Sequence, residues 1–364
     1  MSILADYVTQ VERYEPHLTH LTERTLRADT PQIYFFTSSD GVSLRLKRYR
    51  GGNKGPVILS HCIGVSSLMY SLTTIETNLL EYLFERSYDV WLLDHRLSIE
   101  LPASGQLSTM DDVALKDYPA AVRKVCELTG RSSVQIVGHG VGASTLTMAL
   151  LGGLQHVSAA VCSQVSTHLY SLPINEFKAR MFMPRILQLL GKHWLTAYTD
   201  IHAGISTRLY DAALMLHPIP RHERCANAVC HRITTLFGEL YEHTQLNQAT
   251  HDTLARLFGR VNIAAMKQLT SILLQQHLID ARGKDTYLPH LNRLKLPMTF
   301  LSGGRNDCVL PKSTQKTFDL LVDANGAQFY KRFELTHYGH VDCIIGQNAA
   351  QDVYPLILDR LETA

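Results

Sequence analysis

Three short segments carry residues whose types and order could support acyl-transfer chemistry. The first is Val134-Gln135-Ile136-Val137-Gly138-His139-Gly140-Val141-Gly142-Ala143. An apolar strand-like run, glycines on both sides of a central residue and a helix-like run predict a sharp strand-to-helix turn that thrusts the central side chain forward. Here that residue is Gly140, which has no side chain where a serine or cysteine nucleophile would stand. The second segment, Leu301-Ser302-Gly303-Gly304-Arg305-Asn306-Asp307, places an acid after a late strand. The third, Tyr338-Gly339-His340-Val341-Asp342, places a histidine after the last one. An acid there can hold the imidazole by one ring nitrogen and leave the other facing the turn. Alone, Asp307 reads as a helix N-cap and His340 as a loop residue; in this order behind the glycine-rich turn, the paired reading is favoured.

A fourth segment, His61-Cys62-Ile63-Gly64, follows an earlier apolar strand. Its backbone N–H groups suit an oxyanion hole, so Ile63 N–H and Val141 N–H are the expected donors. His61 reads as a structural residue bonding the loop backbone. Cys62, Cys308 and Cys343 lie close in sequence to proposed site elements, and Cys62 is the first candidate for a substitute nucleophile. The competing reading is that each packs as a small hydrophobe. The glycine spacing does not fit a dinucleotide-binding G-x-G-x-x-G. His222, Cys225, Cys230 and His231 raise the question of zinc, but C-x4-C is loose and the adjacent Cys230-His231 makes closure awkward. The expectation is therefore no metal and no cofactor.

Net charge is +2, and 45% of residues are hydrophobic against 19% charged, a balance typical of a globular enzyme. Scattered Lys and Arg argue against a nucleic-acid surface. No apolar run approaches the ~18 residues of a membrane span. The first residues lack the pattern of a secretory signal, and seven cysteines, an odd number, suit a reducing compartment. Cytoplasmic is the expected location.

Positioning the site requires a sheet. Strands are expected over 33–36, 43–49, 57–60, 89–93, 134–137, 157–162, 298–301 and 328–333. Helices are expected over 66–85, 110–128, 143–151 and 349–361. Near-continuous apolar strands separated by helices imply a mostly parallel eight-stranded sheet covered on both faces. Helical spacing over 182–190 and 254–278 predicts a large helical cap over the strands' C-terminal edge. The expected division is a helical extension over 1–30, an α/β core over 31–164 and 290–364, and a cap over 165–289.

The run Tyr88-Asp89-Val90-Trp91-Leu92-Leu93-Asp94, with residues 112–118 and Pro119-Ala120, resembles the acid-lipase branch of the α/β hydrolases. Cys225, Cys230, Arg232-Ile233, Gly238, Leu240-Tyr241, His243, Leu246-Asn247 and Thr250-His251, with Tyr338-Gly339-His340 and Asp342, resemble a hydrolase domain found with bacterial cholesterol-oxidase-like flavin oxidoreductases. Polyhydroxyalkanoate synthases are a more distant likeness. The resemblance implies the α/β-hydrolase fold and a small apolar acyl or ester substrate. It also implies a functional association with a flavin oxidoreductase, without a flavin in this chain. Gly140 and Cys62 depart from the family pattern. They leave two readings. One is an enzyme acting on an ester, thioester or lactone: His340 and Asp307 perform water or proton-transfer chemistry, or the chain is a nucleophile-less variant of a Ser or Cys hydrolase or acyltransferase. The other is a pseudo-hydrolase binding a ligand or partner.

Overall fold

The computed structural model describes residues 23–181, 194–197, 225 and 227–363. Among the described residues ten strands run in chain order: β1 (Gln32–Thr37), β2 (Ser43–Arg50), β3 (Lys54–Ser60), β4 (Tyr88–Asp94), β5 (Val134–His139), β6 (Val157–Ser163), β7 (Trp194–Thr196), β8 (Arg260–Asn262), β9 (Met298–Gly303) and β10 (Tyr330–Leu335). Eight of them form one sheet in the order β1-β2-β4-β3-β5-β6-β9-β10. The first three neighbours pair antiparallel and the rest parallel. All eight expected strands are present. They are legible because a strand covered on both faces, such as β4 or β5, is buried at every position. Asp40-Gly41 turns β1 into β2, with Gly41 at φ 86°.

Two apolar layers sandwich the sheet. Leu59, Val90, Leu92, Val137 and Val161 face one, and Ile58, Trp91, Leu93, Ile136 and Ala160 face the other. This alternation is the two-residue period of a pleated strand.

The helices differ from expectation in four places, each with a local cause. The helix expected over 349–361 is broken at Val353 into Ala349–Asp352 and Tyr354–Glu362, with Pro355 in the first turn of the second. Residues 66–85 do not form one helix. A 3-10 turn at Ser67–Tyr70 is followed by a helix at Leu79–Phe84, which Asn78 opens through a capping box with Glu81. Over 110–128 the chain is helical but passes through a π turn at Val113–Asp117. Pro119 lies just beyond it, without an N–H to give the preceding turn. Over 254–278 the short helix Leu254–Leu257 yields to β8, which pairs antiparallel with β7, before the helix Ile263–Gln275 begins behind its Asn262 cap. The insertion between β6 and β9 is thus not purely helical. The helix expected over 182–190 lies outside the described residues, as does most of the expected N-terminal extension; residues 23–31 are irregular.

Candidate active site

Backbone contacts dictate the turn after β5. Gly140 has φ 54° and ψ −121°, and the helix Val141–Leu151 starts at the next residue. That backbone is costly for any residue bearing a Cβ. The flanking glycines serve close approach. A Cβ at Gly142 would lie 2.5 Å from the carbonyl oxygens of Ser60 and His61, and one at Gly138 would lie 2.8 Å from Ala143 Cα. Tyr118 clasps the same junction from behind, its Oη 2.7 Å from both Ser60 Oγ and Gly142 O.

The loop after β3 brings Cys62 over this turn. His61 is buried, its Nδ1 2.7 Å from Cys62 O, and its ring stacks on His95 at 3.9 Å. Burial holds the His61 pKa below its ordinary value. This is the loop-bracing role expected of it. A Cβ built on Gly140 would lie 2.5 Å from Cys62 Sγ and 2.9 Å from His340 Nε2. The thiol therefore fills the space that an elbow side chain would take.

No protein-family model matches the sequence. Over 336 residues the chain is 23% identical to lipase member K of Mus musculus, an alignment spanning 85% of this chain and 80% of that protein. It is 22% identical over 321 residues to a probable lipase of Schizosaccharomyces pombe, spanning 82% of this chain and 68% of that one. An esterase from Pyrococcus furiosus superposes with a TM-score of 0.52 at 14% identity over 92% of each chain. A hydrolase from Pseudomonas aeruginosa superposes with a TM-score of 0.54 at 14% identity, over 91% of this chain and 98% of that one. The chain has the α/β-hydrolase fold.

Within this fold the expected partner of His340 is displaced by one residue, from Asp307 to Asn306. His340 Nδ1 lies 2.9 Å from Asn306 Nδ2, not against Asp307. Among the described residues, only the backbone oxygen of Asp307 is engaged, by Ser171 Oγ (3.3 Å) and Asn175 Nδ2 (3.1 Å). Its half-buried carboxyl is raised above the usual carboxylate value by burial alone. The local cause is the turn after β9. Asn306 Oδ1 accepts the Val309 N–H at 2.8 Å, closing an Asx-type turn that points the amide inward and leaves Asp307 facing away.

The orientation of that amide follows from its partners. Asn306 Nδ2 also donates to Gln164 Oε1 at 2.8 Å, and the same oxygen accepts the Gly303 N–H at 2.9 Å. Turning either amide over would set an NH2 group against a backbone N–H. His340 Nδ1 must therefore accept, and the neutral ring carries its proton on Nε2, the nitrogen beside Cys62 and Gly140. A general base here would need the opposite tautomer. Burial without a charged partner pushes the His340 pKa down to about 4, so the ring is neutral at pH 7. Gln164, buried at φ 80°, also donates to Cys343 Sγ at 2.9 Å, which takes Cys343 out of the reacting group.

The two expected oxyanion donors converge on sulfur. Val141 N–H donates to Cys62 Sγ at 3.3 Å, and the Ile63 N–H also favours its thiolate. Burial outweighs both and pushes the thiol up to about 11. Around this centre lies an apolar pocket. The core supplies Val65, Met69 and Val141, and the insertion supplies Leu169, Phe237, Phe258 and Met266. Cys308 lines the same pocket.

The cysteines of the insertion stand in a different group from the one considered in sequence. His231 Nε2 lies 2.9 Å from the Cys225 carbonyl oxygen, so its partner is the backbone. His222 lies outside the described residues. The histidines that gather with Cys225 and Cys230 are His243 and His251. No periodic spacing announces them.

Proposed function

We propose that this α/β hydrolase cleaves an ester, thioester or lactone of an apolar acyl substrate, with Cys62 as the nucleophile in place of the elbow side chain. The observation that carries the reading is the position of Cys62 Sγ, 2.5 Å from the point where a Cβ on Gly140 would stand. The lipase relatives and esterase neighbours support the reaction class, and the apolar pocket supports the substrate class. In the first step the Cys62 thiolate attacks the acyl carbon, a thioester forms, and the alcohol or thiol leaves with a proton from solvent. Water then releases the acid and restores the thiol. His340 already carries a proton on Nε2, so it acts as a hydrogen-bond donor to the developing oxyanion, and hydroxide or buffer takes the thiol proton. The N–H groups of Val141 and Ile63 stabilise the thiolate.

The test is intact-mass analysis during turnover of 4-nitrophenyl hexanoate. Wild-type protein should show an acyl adduct that maps to Cys62 and is absent from Cys62→Ala. Equal turnover by the two proteins would refute the role of the thiol. One observation favours the second reading, a pseudo-hydrolase: in the resting state both oxyanion donors are already engaged by Cys62. Saturable binding of a fluorescent acyl ligand, with neither adduct nor product, would select it.

A further inference from the structure

Away from the reacting centre, four side chains from four points of the insertion meet in one place. Cys225 lies in a loop, Cys230 in the helix Ala228–Phe237, His243 at the start of the turn His243–Gln245, and His251 in the helix Gln248–Asp252. One ligand atom from each lies within 4.8 Å of all the others. Cys230 Sγ and His243 Nε2 are 3.5 Å apart.

We propose that Cys225, Cys230, His243 and His251 form a structural zinc site. A tetrahedral zinc with bonds of about 2.3 Å to sulfur and 2.0–2.1 Å to nitrogen sets its ligand atoms roughly 3.3–3.8 Å apart. The cluster needs only small side-chain movements to reach that spacing. Two thiolates and two neutral imidazoles balance the charge of Zn2+, so binding buries no net charge; the two thiol protons leave to solvent. With four protein ligands no coordination position is left for substrate, which makes the site structural.

Two further observations point to a ligand. His251 Nε2 is buried and finds no hydrogen-bond partner among the described residues, a state that a cation relieves. The surrounding backbone is also braced. Asn227 Oδ1 accepts the N–H groups of Val229 (2.9 Å) and Cys230 (3.3 Å), while its Nδ2 donates to His251 O (3.3 Å). His231 Nε2 holds the Cys225 carbonyl. Cys225 and Cys230 are not joined by a disulfide.

The site has a mechanical consequence. Three residues before His243, Leu240 O accepts the N–H groups of His340 (2.9 Å) and Val341 (2.8 Å), and Glu242 N–H donates to Asp342 Oδ2 at 3.2 Å. Zinc would tie the strap that carries these anchors to the helix bearing Thr235 and Phe237 of the pocket wall.

The test is metal analysis of the full chain purified without chelator. About one zinc per chain should be found, released by an organomercurial thiol reagent and lost from Cys225→Ser/Cys230→Ser. Cobalt exchange should give the strong visible bands of a tetrahedral thiolate site, weakened in His251→Gln. Chelator should lower the Tm of the wild type and leave that of the double variant unchanged. If the variants fail to fold, release from the folded wild type still decides. A wild-type chain with less than about a tenth of an equivalent of zinc after zinc-supplemented expression, or a Cys225–Cys230 disulfide found by mass spectrometry, overturns the proposal.

Discussion

Gly140→Ser and Cys62→Gly should be strongly coupled. A Cβ at position 140 meets Cys62 Sγ at 2.5 Å, His340 Nε2 at 2.9 Å and Cys62 Cβ at 3.2 Å. Gly140→Ser alone therefore incurs two costs. Overpacking against Cys62 and His340 costs roughly 1–3 kcal/mol. The backbone at φ 54° costs a further 1–3 kcal/mol or so once a Cβ is present. Removing the Cys62 side chain relieves only the Cys62 share of the first. The double variant should recover roughly 1–2 kcal/mol relative to the sum of the single changes, and the backbone cost and the His340 contact should remain. The assay is a double-mutant cycle on the full chain from urea unfolding, with Gly140→Ala as a second probe of the backbone cost. Additivity within about 0.5 kcal/mol would show that the two positions do not compete for one space. The same protein carries a chemical readout. Its serine should react slowly with a fluorophosphonate, because His340 offers Nε2–H rather than a lone pair. Adding Asn306→Asp should speed the labelling.

The displaced acid is testable directly: Asp307→Asn should change kcat/KM less than about threefold, whereas Asn306→Ala should lower it at least tenfold. The reverse ranking would restore the pairing expected from sequence. 15N chemical shifts should find the wild-type His340 proton on Nε2 and move it to Nδ1 in Asn306→Asp. Alkylation of Cys62 by iodoacetamide should rise about tenfold per pH unit between pH 7 and 10, because its thiol is pushed up to about 11; a plateau below pH 9 would disprove the neutral thiol. For His340 the folded pKa of about 4 lies below the ~6.5 of the unfolded chain, so its neutral form favours folding. That contribution, about 3 kcal/mol, is complete above pH 6.5 and lost as pH falls toward 4. His340→Gln should flatten this part of the acid limb in urea unfolding at a series of pH values, and an unchanged limb would refute the assignment.

The sheet was legible because buried parallel strands leave apolar runs that few other structures produce, as in Val57–Leu59 or Val134–Val137. The breaks at Asn78, Asn262 and Pro119 left local signals that a hydrophobic period alone does not weigh. Of the candidate site, the gathering of Gly140, Cys62 and His340 was legible, because their places follow from strand ends. The pairing of Asn306 rather than Asp307 was not, because adjacent loop residues point in different directions and the Asx turn to Val309 decides which one faces inward. His243 and His251 approach the insertion cysteines only through tertiary packing, so spacing selected His222 and His231 instead.

Position 164 faces two demands that conflict. Its φ of 80° suits glycine, or at some cost asparagine. Yet the side chain must be long enough to place one carbonyl oxygen between the Gly303 N–H and the Asn306 amide, and an NH2 against Cys343. Glycine leaves those donors buried without an acceptor, and asparagine is one methylene short. Glutamate reaches, but it brings an unpaired charge into a buried site. In a saturation library position 164 should therefore tolerate almost no replacement, even though its side chain touches no substrate, and a screen for lost function would mark it as strongly as His340.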